Sequence, residues 1–285
     1  MIVNQLASDE EGRYIFNNND IIEYQKKRYY VASLLGQGAY GTVVKARDDN
    51  NNYYAIKIHY NNNNSQSKAA KKEINFLKKM KDSKHTVKII EHFELKKFII
   101  IIYNLLFSTL SNLYQNYPLD ISQIKNLSKQ ILEAVKEMFS YNIMHCDLKP
   151  DNIMIDKKDN IYLIDFGLAS EIKNKKPKYD IQTIYYRSPE VITKQVISKE
   201  IDLWSVGCIL AELFILEPLY EELNSEKLLN IINYNPPRMR IEYFCGCDEF
   251  IEEEDKLINL IEKLLIIDPK KRITIDEALS HPFFK

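Results

Sequence analysis

Glycine is scarce in this chain, with 7 in 285 residues, which makes the place of each one informative. Cysteine is scarce too. Its four copies are too few and too irregularly spaced for a disulfide framework. Cys245 and Cys247 stand close together, but no second Cys/His pair follows at zinc spacing, so free thiols in a reducing compartment are expected. An excess of one charge is also missing. Lys+Arg number 39 and Asp+Glu 40, for a net charge of −1. No global basic field exists to hold nucleic acid, so any anionic ligand must be held by local groups. No apolar run nears the ~20 residues of a membrane span; 98–103 is among the longest. Residues 1–13 show no basic stretch followed by an apolar one, so no secretory leader is expected. What remains is ordinary globular composition, 45% hydrophobic and 28% charged, which excludes wholesale disorder and a fibrous repeat. The length allows one large domain or two small lobes with a buried core.

The pattern changes character along the chain. Residues 1–28 read as a polar extension containing the Asn run 17–19, and the Asn runs 50–52 and 61–64 read as loops. Short strands rich in β-branched and aromatic residues are predicted at 29–35, 42–47, 53–59, 87–93 and 98–103. One helix interrupts them at 68–81, with Ala70, Ile74, Leu77 and Met80 on one face. After Phe107 helices dominate. Ile124, Leu127, Ile131, Val135 and Met138 form a stripe within 121–141, Asp120 offers a helix cap, and 202–214 and 257–267 are apolar helices. The expected fold class is α+β, a β-rich lobe (29–106) followed by an α-rich lobe (107–285), with a ligand cleft between them.

Three of the glycines, Gly36, Gly38 and Gly41, fall within six residues in GQGAYGTV. A dinucleotide-binding loop runs from strand into helix, whereas this one runs from strand to strand. A glycine hairpin lets backbone N–H groups approach phosphate oxygens; a bare hairpin is the plainer alternative. Downstream, Lys57 sits in the apolar strand of Ala55-Ile56-Lys57 and needs a counter-charge. Glu73, sixteen residues later on the first helix, is the candidate. Then come His145-Cys146-Asp147-Leu148-Lys149-Pro150-Asp151-Asn152, Asp165-Phe166-Gly167 and Ser188-Pro189-Glu190.

In order and spacing these motifs match the protein-kinase signature set, and residues 29–285 resemble a eukaryotic protein kinase. The resemblance implies a bilobal protein-kinase fold with an ATP cleft, and the cofactors ATP and Mg²⁺. It implies that Lys57 holds the α/β-phosphates and is fixed by Glu73. Asp165 and Asn152 would hold Mg²⁺, a hard cation suited to oxygen ligands. Asp147 would accept the hydroxyl proton, Lys149 would neutralise the transferred phosphoryl group, and Thr183 would support both. The nucleotide would lie against Leu35, Gly36, Gln37, Gly38, Ala39, Tyr40, Gly41, Thr42 and Val43 of the glycine loop, with Ala55, Lys57, Tyr103, Leu106 and Met154. His145, Phe166 and Leu77 resemble the family's regulatory hydrophobic spine. Asp202 resembles the residue that supports the catalytic loop, and Arg272 the one that pairs with Glu190. Five glycines (36, 38, 41, 167 and 207) occupy motif positions, where backbone conformation is expected to require them.

Within the family, IQTIYYRSPEV at 181–191 resembles the CMGC group. HCDLKPDN, RYYVASLLGQGAYGTVVKA and EPLYEELNSEKLLNII resemble its dual-specificity tyrosine-regulated (DYRK) family. The group's insert is short here, with about twenty residues between Pro237 and the helix at 257. The chain departs from DYRK members where they carry a phosphorylated tyrosine and a following arginine, here Asp180 and Ile184, with Tyr179 displaced by one. Tyrosine autophosphorylation is therefore not carried over. The acid common at the start of the interlobe segment is Asn104. The charge runs 173–178 and 248–255 read as solvated segments, the second also as a helix start. The expected activity is phosphoryl transfer from Mg-ATP to Ser/Thr of a protein substrate, with proline favoured after the acceptor. The expected protein is a monomer, cytoplasmic or nuclear, with no nucleic-acid or membrane partner. The alternatives are a CMGC kinase outside DYRK or a pseudokinase scaffold. EINFLKKM lacks the cyclin-binding helix sequence PSTAIRE, and no metal ligand or base is missing, which disfavours the scaffold.

Overall fold

The computed structural model describes residues 6–10, 12–18, 20–38, 41–60, 65–174, 176–177 and 181–285. Ala39, Tyr40, Tyr179 and Asp180, the loop 61–64, Asn19 of the first Asn run, and Lys175 and Lys178 of the basic run lie outside the described residues.

The chain divides into two units. The first comprises 1–82, 86–106 and 165–167; the second comprises 83–85, 107–164 and 168–285. The first unit is an antiparallel six-stranded sheet in the order β1-β2-β3-β4-β6-β5: β1 (Ile21–Tyr24), β2 (Lys27–Gly38), β3 (Gly41–Arg47), β4 (Tyr53–Tyr60), β5 (Ile89–Leu95) and β6 (Phe98–Asn104). The helix α1 (Ser65–Lys79) packs on it. Side chains alternate across a strand. On β4, Ile56 and Ile58 enter a core shared with Val44, Ala46, Phe98, Ile100 and Ile102, and Ala55, Lys57 and His59 take the opposite face. Both faces of β6 are buried, which explains the unbroken apolar run 98–103.

Within 1–28, read from sequence as a polar extension, the described residues join the sheet. Tyr14 and Ile22 are buried in the sheet core, and Ile21 and Ile22 belong to β1. Tyr14 donates its hydroxyl hydrogen bond to Asp20. The β1–β2 hairpin turns at Gln25 and Lys26, both at positive φ (48° and 69°). That geometry is usual for Asn-Gly, so Gln-Lys carries no sequence signal for it.

The second unit is mainly helical, as the mixed α+β expectation requires. In chain order it holds β7 (Ser108–Thr109), α2 (Leu110–Asn116), α3 (Ile121–Ser140), β8 (Ile143–Met144), β9 (Ile153–Ile155), β10 (Ile161–Leu163) and β11 (Ser170–Glu171). Then follow α4 (Pro189–Ile192), α5 (Glu200–Ile215), α6 (Ser225–Tyr234), α7 (Pro237–Cys245), α8 (Glu252–Leu264) and α9 (Ile275–Leu279). α3 opens on a reciprocal cap. Asp120 accepts from the Gln123 amide at 2.8 Å, and the Gln123 side chain accepts from the Asp120 amide at 2.9 Å. Every residue of α5 from Ile201 to Leu213 is buried, so it is the axis of this unit. A Cβ at Gly207 would lie 2.8 Å from the Leu265 side chain, so this glycine lets α5 and α8 approach closely. Gly207 thus serves packing, and among the five motif glycines only Gly41 has a positive φ. The second half of the acidic run 248–255, Glu252 to Asp255, forms the first turn of α8, where carboxylates suit the helix N-terminus.

Candidate active site

In the first unit the glycine hairpin joins β2 to β3, with Gly38 paired to Gly41 beside the tip. Added Cβ atoms at Gly36 and Gly38 would meet nothing within 4 Å. At Gly41 (φ 137°) a Cβ would sit 2.7 Å from the Ile58 carbonyl oxygen. Gln37 and Leu35 are exposed, Thr42 is buried, and Val43 and Ala55 are half-buried.

Lys57 is buried on β4 and reaches two carboxylates. Its Nζ donates to Glu73 Oε2 and to Asp165 Oδ1, each at 2.8 Å. Burial works against the ammonium, but the charges of Asp165 and Glu73 outweigh it, so the Lys57 pKa is raised and the residue stays cationic. Burial pushes the Glu73 pKa up, against the pull of Lys57. The Tyr103 hydroxyl donates to Glu73 Oε1 at 2.7 Å, and its pKa is raised by burial and by that carboxylate, which keeps it a donor. Tyr103 is 6% exposed, and its hydroxyl is spent on the Lys–Glu pair. Asp165 adopts a left-handed backbone (φ 60°), and the Gly167 amide lies 3.4 Å from its Oδ1.

In the second unit the segment after β8 carries the proposed base. Asp147 Oδ1 accepts from the Thr183 amide and from Thr183 Oγ1, both at 2.8 Å. Asn152 Nδ2 donates to the Asp147 carbonyl at 2.8 Å and approaches Oδ2 at 3.3 Å. Lys149 Nζ stands 4.0 Å from Asp147 Oδ2. The segment is anchored from α5, where the buried Asp202 accepts from the His145 and Cys146 amides at 2.6 and 3.0 Å. Burial pushes the Asp202 pKa up to about 7, although both amide hydrogen bonds pull it down. Leu106 and Met154 are half-buried residues of the stretches flanking β7 and within β9. Arg272 grips Glu190 in a buried bidentate pair at 2.7 and 3.1 Å.

The structure therefore gathers Lys57, Glu73 and Asp165 in one unit and Asp147, Lys149, Asn152 and Thr183 in the other. His145, Phe166 and Leu77 are all buried. Three participants escaped the sequence reading: Tyr103 as a partner of Glu73, His59 beside it, and Gln182 beside Thr183. His59 follows Lys57 on the same face of β4, is fully buried, and has no hydrogen bond to either ring nitrogen among the described residues. Burial, then Lys57, lower its pKa to about 3. Only the lysine two residues earlier hinted at a polar neighbour facing that way.

The protein kinase domain family matches residues 29–284. Among curated proteins, the chain is 31% identical to the serine/threonine-protein kinase ppk5 of Schizosaccharomyces pombe, over 98% of this chain and 38% of that protein. It is 30% identical to the serine/threonine-protein kinase Doa of Drosophila melanogaster, over 98% of this chain and 41% of that protein. It is 31% identical to the mitogen-activated protein kinase HOG1 of Kluyveromyces lactis, over 90% of this chain and 63% of that protein. The chain thus spans less than two thirds of the length of each of these relatives.

Proposed function

The chain belongs to the protein kinase domain family, and we propose that it is a serine/threonine protein kinase that transfers the γ-phosphoryl group of Mg-ATP to protein substrates. The observation that carries this reading is the dressing of Asp147. One carboxylate oxygen is fixed by Thr183, and the other faces Asn152 and Lys149. A carboxylate so oriented can take a hydroxyl proton while a lysine beside it balances charge on the moving phosphoryl group. Lys149, two residues after the base, is the arrangement of Ser/Thr rather than tyrosine kinases.

The residues present suit Mg²⁺. Asn152 spends its Nδ2 on Asp147, which leaves Oδ1 without a protein donor among the described residues, and an amide and a carboxylate oxygen are hard ligands. Asn152 and Asp165 are the proposed ligands, and the metal would neutralise phosphate charge. Lys57, held by Glu73, is the proposed contact to the α/β-phosphates. The loop from Leu35 to Val43, with Ala55, Leu106 and Met154, is the proposed nucleotide surface. The protein is proposed to act as a monomer in the cytoplasm or nucleus, in keeping with four cysteines that form no disulfide among the described residues. Among the described residues no helix is long and apolar enough to cross a membrane.

The finer reading is a proline-directed, DYRK-like member of the CMGC group. It rests on the motif stretches named above and on one contact. Arg187 donates from Nε and Nη2 to the Gln182 carbonyl at 3.2 and 2.9 Å, with Gln182 at φ 61°. That carbonyl is taken, so a substrate N–H after the acceptor would go unpaired. Proline has no N–H and avoids a cost of roughly 1–3 kcal/mol. A positional peptide library with Ser, Thr and Tyr acceptors tests the whole reading. Ser/Thr acceptors followed by proline are expected, with the preference weakened in Arg187→Leu. Phosphotransfer should vanish in Asp147→Asn while nucleotide binding persists. A preference for tyrosine, or near-wild-type turnover in Asp147→Asn, would overturn it.

A further inference from the structure

Gln182 is 3% exposed and sits at φ 61°, a backbone conformation that glutamine rarely adopts. All of its polar atoms are paired. Its Nε2 donates to the Ile201 carbonyl at 2.9 Å and to Ser205 Oγ at 2.8 Å, both on α5. Its Oε1 accepts from the Ser188 amide at 3.0 Å and from Ser188 Oγ at 3.2 Å. Its amide donates to the Cys146 carbonyl at 2.8 Å, and its carbonyl takes Arg187. The next residue is Thr183, whose amide and hydroxyl both fix Asp147. A continuous chain of contacts therefore runs from α5 through the Gln182 side chain to Thr183 and the Asp147 carboxylate.

We propose that Gln182 is a positioning residue for Asp147: its side-chain amide clasps the segment 181–188 to α5 and so holds Thr183 against the base, with no phosphoryl group on that segment. The proposal rests on the kinase reading for its effect on turnover, while the clasp itself is a property of the fold. Three of the segment's four hydroxyls agree with it, the fourth being that of the half-buried Tyr185. Thr183 Oγ1 is spent on Asp147, the Tyr186 hydroxyl donates to Glu212 Oε2 at 2.6 Å, and Ser188 is fully buried against Gln182. A phosphoryl group brings a charge of about −1.5 to −2. On Thr183 or Tyr186 it would face a carboxylate, and on Ser188 it would displace the amide oxygen of the clasp. Phosphorylation at these three places would take the site apart, whereas the neutral amide assembles it. A left-handed residue also resists slippage, because its neighbours cannot shift register without releasing the αL turn.

The test uses the full chain treated with phosphatase. Gln182→Met keeps the length and removes all four side-chain hydrogen bonds, and Ser205→Ala removes one acceptor of the Nε2 group. Gln182→Met should lower kcat about ten- to hundredfold, as expected from stranded buried partners, and Ser205→Ala should fall between it and the wild type. KM for ATP should stay within about twofold in both, with kcat taken per folded molecule, since unfolded protein lowers apparent kcat without moving KM. Hydrogen exchange supplies a readout independent of turnover. The Gln182 and Thr183 amides should be protected in phosphatase-treated wild type and lose protection in Gln182→Met or, if that variant does not fold, in Ser205→Ala. Wild-type kcat in Gln182→Met, loss of wild-type kcat on phosphatase treatment, or rapid exchange at both amides would overturn the clasp. A protected but inactive wild type would sink the kinase reading and leave the clasp standing.

Discussion

Lys57 meets Glu73 and Asp165 at the same 2.8 Å, and the consequences of removing each partner differ. Lys57→Met strands Glu73, which is 2% exposed, beside Asp165 with only Tyr103 donating among the described residues. Breaking a buried pair from one side costs about 3–5 kcal/mol. Glu73→Gln leaves Lys57 its second carboxylate and leaves Tyr103 an acceptor. Denaturant titration and turnover should therefore both rank wild type above Glu73→Gln and Glu73→Gln above Lys57→Met; equal, unchanged values would reduce the pair to a surface-type contact. His59 points the other way. Two unpaired buried ring nitrogens cost stability, so His59→Leu should be more stable by about 1–3 kcal/mol at neutral pH. Its folded pKa, about 3, lies below the unfolded 6.5. The neutral ring therefore contributes stability in full above 6.5 and loses it as pH falls, so the advantage of His59→Leu should widen on acidification. Equal midpoints at pH 7.5 and 5 would refute this. The motif residues were legible because their spacing alone marks them. His59, Tyr103 and Gln182 were not, because Glu73 lies 14 and 30 residues from the first two, and Ser205 lies 23 from Gln182, so only the fold brings them together.

Elements were legible where periodicity or β-branched content is strong. β3, β4, β6, α3 and α5 begin and end within two residues of the spans read from sequence. α1 starts at Ser65 rather than 68, and β5 runs over 89–95 rather than 87–93, since neither boundary carries a Gly or Pro. The β1 hairpin was hidden by its Gln-Lys turn, and the short helices α2, α4 and α9 are too brief for a helical stripe to show. The glycine hairpin shows what a motif can and cannot specify. Its three glycines look equivalent in sequence, but only Gly41 is sterically required. Gly41→Ala should therefore destabilise the fold, since the added Cβ meets backbone at 2.7 Å and the residue keeps a left-handed φ. Gly36→Ala and Gly38→Ala should leave thermal stability near wild type and instead weaken nucleotide binding, where backbone must approach phosphate. Thermal melts with and without Mg-ATP separate the two effects. A Gly41→Ala protein as stable as Gly36→Ala would remove the steric argument.

At the scale of the whole molecule, α5 is the element to which the second unit is tied. Gln182 hangs from Ile201 and Ser205, Arg272 reaches the Glu200 carbonyl, and Asp202 holds the catalytic segment by two amides. The last tie makes stability depend on pH. Asp202 has a folded pKa of about 7 against an ordinary 3.8, raised chiefly by burial. Between about 4 and 7 the folded chain therefore holds a proton that the unfolded chain has released. By linkage, Asp202 makes stability fall as pH rises through that window, at about 1.4 kcal/mol per pH unit for one full proton. Above about 7 both states are ionised and this dependence ends. His59 acts in the opposite sense from 6.5 downward, so the two partly cancel in the wild type. His281, with a pKa lowered to about 4, acts in the same sense as His59, while the buried Glu73 and Glu212, with raised pKa values, act with Asp202. Urea unfolding of the His59→Leu chain at pH 5, 6, 7 and 8, with and without Asp202→Asn, isolates the carboxyl as a difference that should fall to pH 7 and then level. The same slope with and without Asp202 would show that its carboxyl does not titrate in this range. Activity should move against stability. Only the ionised carboxylate accepts from both the His145 and Cys146 amides at full strength, so turnover should rise as pH passes 7, the side on which Asp202 contributes least to stability. Asp202 would then serve turnover best where it is charged, and contribute most to resistance against unfolding where it is neutral.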